Sequence, residues 1–299
     1  MTDYLLLTLA VTLLSGCFAM SRLYQQREGD GLLAGLRYTA LLGAVTAFAF
    51  WGVCGFSVSL TLFSLLMAVT ISTLVTLYTL IGFRLMKSGG LALYTMFLMA
   101  GGMIVPYVWG LLFWEEDFSI LRTAGLLLLL AALVFSNWRG RGERVNLSQI
   151  AMCLCVFSLN GMTSVCSKLH QMETVLPTVR TDEFVVWSAA SKCIIAGLAW
   201  GVLWLMSRKQ TRKVLPREKG GRRWIFMLPI GMAALLDGAS YMLQLSAASR
   251  LPATVLYPFV TGGSMILTAL AGVLFFRERL TNAMKISLCL CLAGTLLFL

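Results

Sequence analysis

Lys192 and Asp237 are the two residues of this sequence best placed to do chemistry. Each stands inside a long apolar run, at 184–206 and 225–247. An ionisable group at membrane depth costs about 2.5–3.5 kcal/mol on insertion scales, so it usually has a partner or a role. Two readings are open. In one, the two charges neutralise each other as a structural pair. In the other, they line a cavity, with Lys192 holding a carboxylate and Asp237 holding an amine or exchanging a proton. A pair that parts to admit a ligand satisfies both. Tyr241 and Gln244 follow Asp237 at helical spacing, so the three share one face. Asn160, near the middle of the run 148–167, adds an amide. An acid beside an aromatic ring also suits an organic cation. The plainer reading of the stripe is hydrogen bonding between helices.

Other polar and conformational signals are weaker. Arg37 near the end of its run can snorkel to the headgroups. His170 is the single histidine and reads as a solvated position at a helix end. Pro106, Pro229 and Pro258 fall inside apolar runs, where each removes a backbone hydrogen bond. Pro229 and Pro258, with Gly262 and Gly263 after the latter and Gly101 in an earlier run, are candidate gate hinges. The alternative is that these small residues only allow close helix contact. The eight cysteines lie in apolar stretches and read as small buried hydrophobes. Cys153/Cys155 and Cys289/Cys291 are two apart, which points the thiols to different helix faces.

The elements that must hold these groups are read from composition. The chain is 59% hydrophobic and 12% charged over 299 residues, where soluble domains carry roughly 25% charged residues. About 20 apolar residues cross a bilayer. Ten runs qualify, near 4–20, 32–54, 60–85, 91–114, 120–135, 148–167, 184–206, 225–247, 252–276 and 284–299. The first lacks a basic start and reads as a membrane helix, not a leader. The expected fold is an all-α integral membrane protein of ten transmembrane helices in two inverted five-helix repeats, 1–145 and 146–299.

Charge gives the orientation. The loops after helices 1, 3, 5, 7 and 9 carry 18 of the 24 Lys and Arg residues, including the basic stretch 208–223. Lys and Arg favour the cytoplasmic side, so the charge of +11 is a topology signal and asks for no nucleic acid. Both termini are then expected outside, in the plasma membrane. An offset of 162 residues lays Gly101 on Gly263, Gly110 on Gly272 and Glu116 on Glu278. A second echo relates Ser21-Arg22-Leu23 to Ser167-Lys168-Leu169. The same turn is acidic at Glu115-Glu116-Asp117 and basic at Arg277-Glu278-Arg279. An odd number of helices per half inverts the second copy, as that charge reversal requires. Repeats of this kind mark secondary transporters.

These features resemble the drug/metabolite transporter superfamily, EamA type. The resemblance rests on Pro252, Ala253 and Pro258, on the turn Gly272-Val-Leu-Phe-Phe-Arg-Glu-Arg-Leu-Thr, and on Gly294 in the last helix. The first-half copy is degenerate, with Gly90 opposite Pro252 and Met96 opposite Pro258. The resemblance implies ten helices and a central solute cavity worked by alternating access. One departure is that many members of that family place both termini in the cytoplasm.

The sequence contains no phosphate-cradling glycine loop, no His-Glu-x-x-His and no Gly-x-Ser-x-Gly. The expectation is therefore no enzyme, no metal and no cofactor. The expected partners are a small organic solute (an amino acid, a related metabolite or an amphiphilic amine), membrane lipid, and protons as a coupling ion, in a monomer or homodimer. An organic-cation uptake protein and a lipid flippase are the alternatives.

Overall fold

A computed structural model describes residues 2–28, 31–87, 91–137, 146–210, 224–276 and 281–298. Among them are ten helices and no strand. They are α1 (Thr2–Glu28), α2 (Leu32–Val53), α3 (Leu62–Lys87), α4 (Leu91–Phe113), α5 (Ile120–Asn137), α6 (Leu147–Met172), α7 (Thr181–Gln210), α8 (Trp224–Ala248), α9 (Ala253–Phe276) and α10 (Asn282–Leu296). The turn 277–279 with Glu278, residues 211–223 of the basic stretch, Gly90 and the linker before residue 146 lie outside the described residues.

Local signals set several helix starts. Pro252 precedes α9, where a residue without an N–H loses nothing, and its carbonyl accepts from Val255 and Leu256. Gln149 Oε1 accepts from the Asn146 N–H at 2.9 Å, the return half of a capping box for α6. Thr281 Oγ1 accepts from the Met284 N–H at 3.3 Å at the start of α10.

Seven helices among the described residues are long and apolar enough to cross a membrane, against the ten expected. The other three are α5, α8 and α10. The 18 residues of α5 lie at the lower end of the roughly 17–25 with which helices cross a bilayer, and the 15 of α10 fall just below it. The 25 residues of α8 are long enough to cross, with Asp237, Ser240 and Gln244 set among its apolar side chains. Many large apolar side chains face outward, among them Leu62, Leu112, Leu147 and Phe275. An outer surface of that kind suits lipid, so the chain reads as a membrane-embedded helical protein.

Consecutive helices run antiparallel. At one end, here the near end, Tyr4 of α1 donates to the Phe298 carbonyl beyond α10. Asp3 pairs there with Arg250, after α8. The α4–α5 turn, the end of α6 and the starts of α3, α7 and α9 meet at the same end. Within the bundle, α6 packs on α3 and α4, and α1 packs on α8 and α9; α2 lies along α7, and α5 along α10. The α4–α6 crossing is so tight that a Cβ on Gly161 would meet the Gly101 carbonyl at 2.7 Å, and one on Gly101 would strike the Phe157 backbone.

Two sequence readings are corrected. His170 is not solvated: α6 runs on past Ser167 to Met172, and His170 is buried with its ring stacked between Phe63 and Phe184. Lys168, one residue past the apolar run 148–167, is likewise inside α6 and buried. The cysteines are not uniformly buried: Cys155 and Cys289 are exposed, while Cys153 and Cys291 are buried, which fits the two-residue spacing on a helix.

Candidate functional site

The five polar residues singled out in the sequence come together. Lys192 from α7, Asp237, Tyr241 and Gln244 from α8, and Asn160 from α6 line one cavity of about 300 Å³. Lys192 Nζ stands 3.5 Å from Asp237 Oδ2, and the two side chains stay 25% and 26% exposed. The pair is therefore formed and also faces open space. Arg37, by contrast, is exposed and does not line this cavity.

The wall is held by hydrogen bonds. Thr46 Oγ1 on α2 donates to the Ala234 carbonyl at 3.0 Å, and Ser72 Oγ on α3 donates to the Ser188 carbonyl at 3.1 Å. Asn160 Nδ2 donates to the Leu98 carbonyl at 2.7 Å. Gln244 Nε2 donates to Ser240 Oγ at 3.0 Å, and the Tyr241 hydroxyl lies 3.1 Å from Ser167 Oγ. The polar stripe thus both ties helices together and lines the cavity. Ser188 Oγ, buried on that wall, has no hydrogen-bond partner among the described residues.

Two further cavities continue the first. One of about 340 Å³ shares Leu14, Tyr78, Asn160, Thr163, Tyr241 and Gln244 with it, and adds Tyr257 and Ser164. The next, about 370 Å³, shares Phe18 and Met99 with the second and lies among Arg22, Thr95, Met265 and Met284, toward the far end. A run of spaces with common walls thus leads from the ion pair toward the far end.

The near end is built differently. Glu116, in the α4–α5 turn, accepts from the backbone N–H groups of Ala253 at 2.6 Å and Thr254 at 2.9 Å, capping α9. Its Oε1 lies 3.2 Å from Lys168 Nζ, with side-chain exposures of 9% and 3%. Lys168 also donates to the Leu251 carbonyl at 2.6 Å and lies 5.3 Å over the Trp114 ring. Burial alone would raise the Glu116 carboxyl, but the Thr254 and Ala253 N–H groups and the Lys168 ammonium outweigh it and hold it below the usual carboxylate range. Gly110 makes room for the fold-back, since a Cβ there would stand 2.7 Å from Glu116 Oε2.

No family model and no curated protein matches this chain. A solved structure described only as "Crystal structure of protein" matches with a TM-score of 0.72 at 17% identity, over 99% of this chain and 96% of that one. That likeness gives the fold alone.

The hinge candidates are placed as follows. Pro229 and Pro258 lie inside α8 and α9. Gly262 packs against Leu129 and Thr295, Gly263 against Val11, and Gly101 against Phe157, so all three glycines sit at close helix contacts. Among the described residues, no group of three or more His, Cys, Asp or Glu side chains could hold a metal ion. Sequence reasoning missed Lys168 and its partner Glu116. A signal was present: Gly110 and Glu116 keep their spacing in Gly272 and Glu278, and that spacing is what lets Glu116 fold back over a glycine.

Proposed function

We propose that this chain is a ten-span secondary transporter that moves a small organic solute across the plasma membrane by alternating access, related to the EamA-type drug/metabolite transporters. The observation that carries this reading is the central cavity. An ammonium and a carboxylate, 3.5 Å apart and each about a quarter exposed, face one cavity together with tyrosine and amide groups. Charges in a low-dielectric enclosure act more strongly than in water, so a zwitterion or amine is the best match. Lys192 takes the carboxylate, Asp237 takes the amine or a coupling proton, and Tyr241, Gln244 and Asn160 orient the solute.

Helix packing supports the inverted repeat behind such a mechanism. With α1 matched to α6 and so on through α5 and α10, the packing of α6 on α3 and α4 becomes that of α1 on α8 and α9. The α2–α7 and α5–α10 contacts map onto themselves. Two like halves that enclose a midplane site are the architecture of a rocking transporter. The loop charges favour an outer location for both chain ends and for Asp117. Protons are the proposed coupling ion, with monomer and homodimer equally compatible.

One observation favours a second reading. Tyr78 and Tyr241 line the same cavity as Asp237, as an organic cation requires. Solute flux into reconstituted vesicles, with and without a pH gradient, tests both. Saturable flux of an amino acid or amine is expected, and movement of labelled lipid alone would replace the reading with lipid scrambling.

A further inference from the structure

Glu116 and Lys168 lie outside the central cavity, yet they make the most buried ion pair among the described residues, with side chains 9% and 3% exposed. The pair sits where two groups of helices meet. On one side stand α4, whose following turn carries Glu116, and α6, which carries Lys168. On the other stand the α8–α9 turn, with the Leu251 carbonyl, and the start of α9, with the Ala253 and Thr254 N–H groups. One helical turn deeper, the Tyr257 hydroxyl of α9 donates to the Ser164 carbonyl of α6 at 2.5 Å. α6 and α9 hardly pack on one another directly, while α4 packs on both and meets α9 through Met103, Tyr107, Leu256 and Phe259.

The second cavity lies directly beneath these two layers and has Ser164, Ser167, Leu256 and Tyr257 in its wall. Toward the far end it continues through Phe18 and Met99. Spaces with shared lining thus extend from beneath these bonds toward the far end. We infer that the Glu116–Lys168 pair, with its bonds to the start of α9, is the near-end gate of the cavity. The inference rests on the transport reading above.

The physical case is the kind of bonding involved. The α4–α6 crossing is closed by backbone shape at Gly101 and Gly161, and cannot part without losing its packing. The α6–α9 closure depends on polar groups, and these regain water when the gap opens. Hydration of Glu116 and Lys168 then offsets part of the loss of their mutual attraction, which lowers the cost of opening. A closure of that kind separates two discrete states, as alternating access demands.

The test is thiol labelling of the full chain in sealed vesicles of known orientation. Ser164→Cys places a thiol in the cavity wall below the gate, and labelling of the chain that keeps Ser164 is subtracted for the native cysteines. With the gate intact, a membrane-impermeant maleimide added at the near end reacts slowly. Lys168→Met is expected to raise that rate at least tenfold, and Lys168→Arg to leave it near the starting value. Glu116→Gln provides a second arm; should loss of the α9 cap prevent its folding, Lys168→Met retains the cap and still decides. An unchanged near-end rate in Lys168→Met, with the protein merely less heat-stable, would overturn the gate and leave a structural pair. No solute is used, so this result and the flux result fail independently.

Discussion

Lys192 and Asp237 meet at 3.5 Å across the α7–α8 contact with 25% and 26% of their side chains still exposed, onto a cavity. Glu116 and Lys168 meet at 3.2 Å with only 9% and 3% exposed. The same chemistry thus occurs once half-solvated and once dry. A dry pair is costly to break from one side, whereas a half-solvated pair exchanges partners cheaply. That difference suits the first pair to binding and the second to closure.

Asp237→Asn keeps the shape of the side chain and removes its charge. Flux is expected to lose its dependence on a pH gradient, with thermal stability reduced by about 1 kcal/mol or less because the pair is partly solvated. Uptake with an unaltered pH profile would remove Asp237 from the coupling step.

Lys192→Ala separates the two solute classes. An amino acid loses a charge-assisted bond of about 1.5–3 kcal/mol, so its affinity is expected to fall roughly 10- to 100-fold. A quaternary amine held by Asp237 and the tyrosines is expected to bind equally well or better. Thermal stabilisation against a panel of both classes measures this, and equal loss for both would place Lys192 in the scaffold.

The readable part of this fold and site is the part with a local period. Asp237, Tyr241 and Gln244 share a stripe of α8 because of their spacing, and no knowledge of α7 is needed to see it. The ends of helices are harder to read. Lys168 and His170 follow an apolar run, and a charged residue there reads as the start of a loop. What keeps them in α6 is tertiary: Glu116 lies 52 residues before Lys168, and Phe184, stacked on His170, comes from α7. The shortness of α10 was hidden for a related reason, since the apolar Leu297 and Phe298 continue beyond the helical segment.

Glu116 should make stability depend on acid. Its carboxyl titrates below the usual range in the folded chain, so its contribution is complete above the ordinary glutamate value of about 4.3. It is lost as pH falls through the lower folded value. The melting temperature of the purified protein is expected to drop on acidification in that window, and Glu116→Gln to shrink the drop. Glu116→Ala, which leaves Lys168 buried without its partner, is expected to cost about 3–5 kcal/mol. Lys168→Met is expected to cost less, because Glu116 keeps its two N–H donors. The reverse ranking would mean that the α9 cap contributes little.

Gly101 and Gly201 provide a paired test of close packing. A Cβ at Gly101 strikes the Phe157 backbone, whereas one at Gly201 meets nothing within 4 Å. Gly101→Ala is therefore expected to destabilise by about 1–3 kcal/mol through forced separation of α4 and α6. Gly201→Ala is expected to stabilise by about 0.5–1 kcal/mol through reduced backbone freedom of the unfolded chain. Equal effects in thermal unfolding would show that α4 and α6 can move apart at little cost, against a shape-locked crossing.

The inverted arrangement itself is open to a direct test with two exposed residues. Asp117 follows α4 at the near end, and Lys285 lies in the first turn of α10 at the far end. Asp117→Cys and Lys285→Cys are expected to react with an impermeant maleimide from opposite sides of the membrane, Asp117 from outside. The expected side follows from the loop charges and the expected opposition from the antiparallel order of the helices, so the two halves of the result are separable. Opposite labelling with Asp117 inside would reverse the insertion and keep the architecture, because two inverted halves make the faces nearly equivalent. Labelling of both residues from one side would break the antiparallel order, leaving no pair of oppositely facing halves to enclose Lys192 and Asp237.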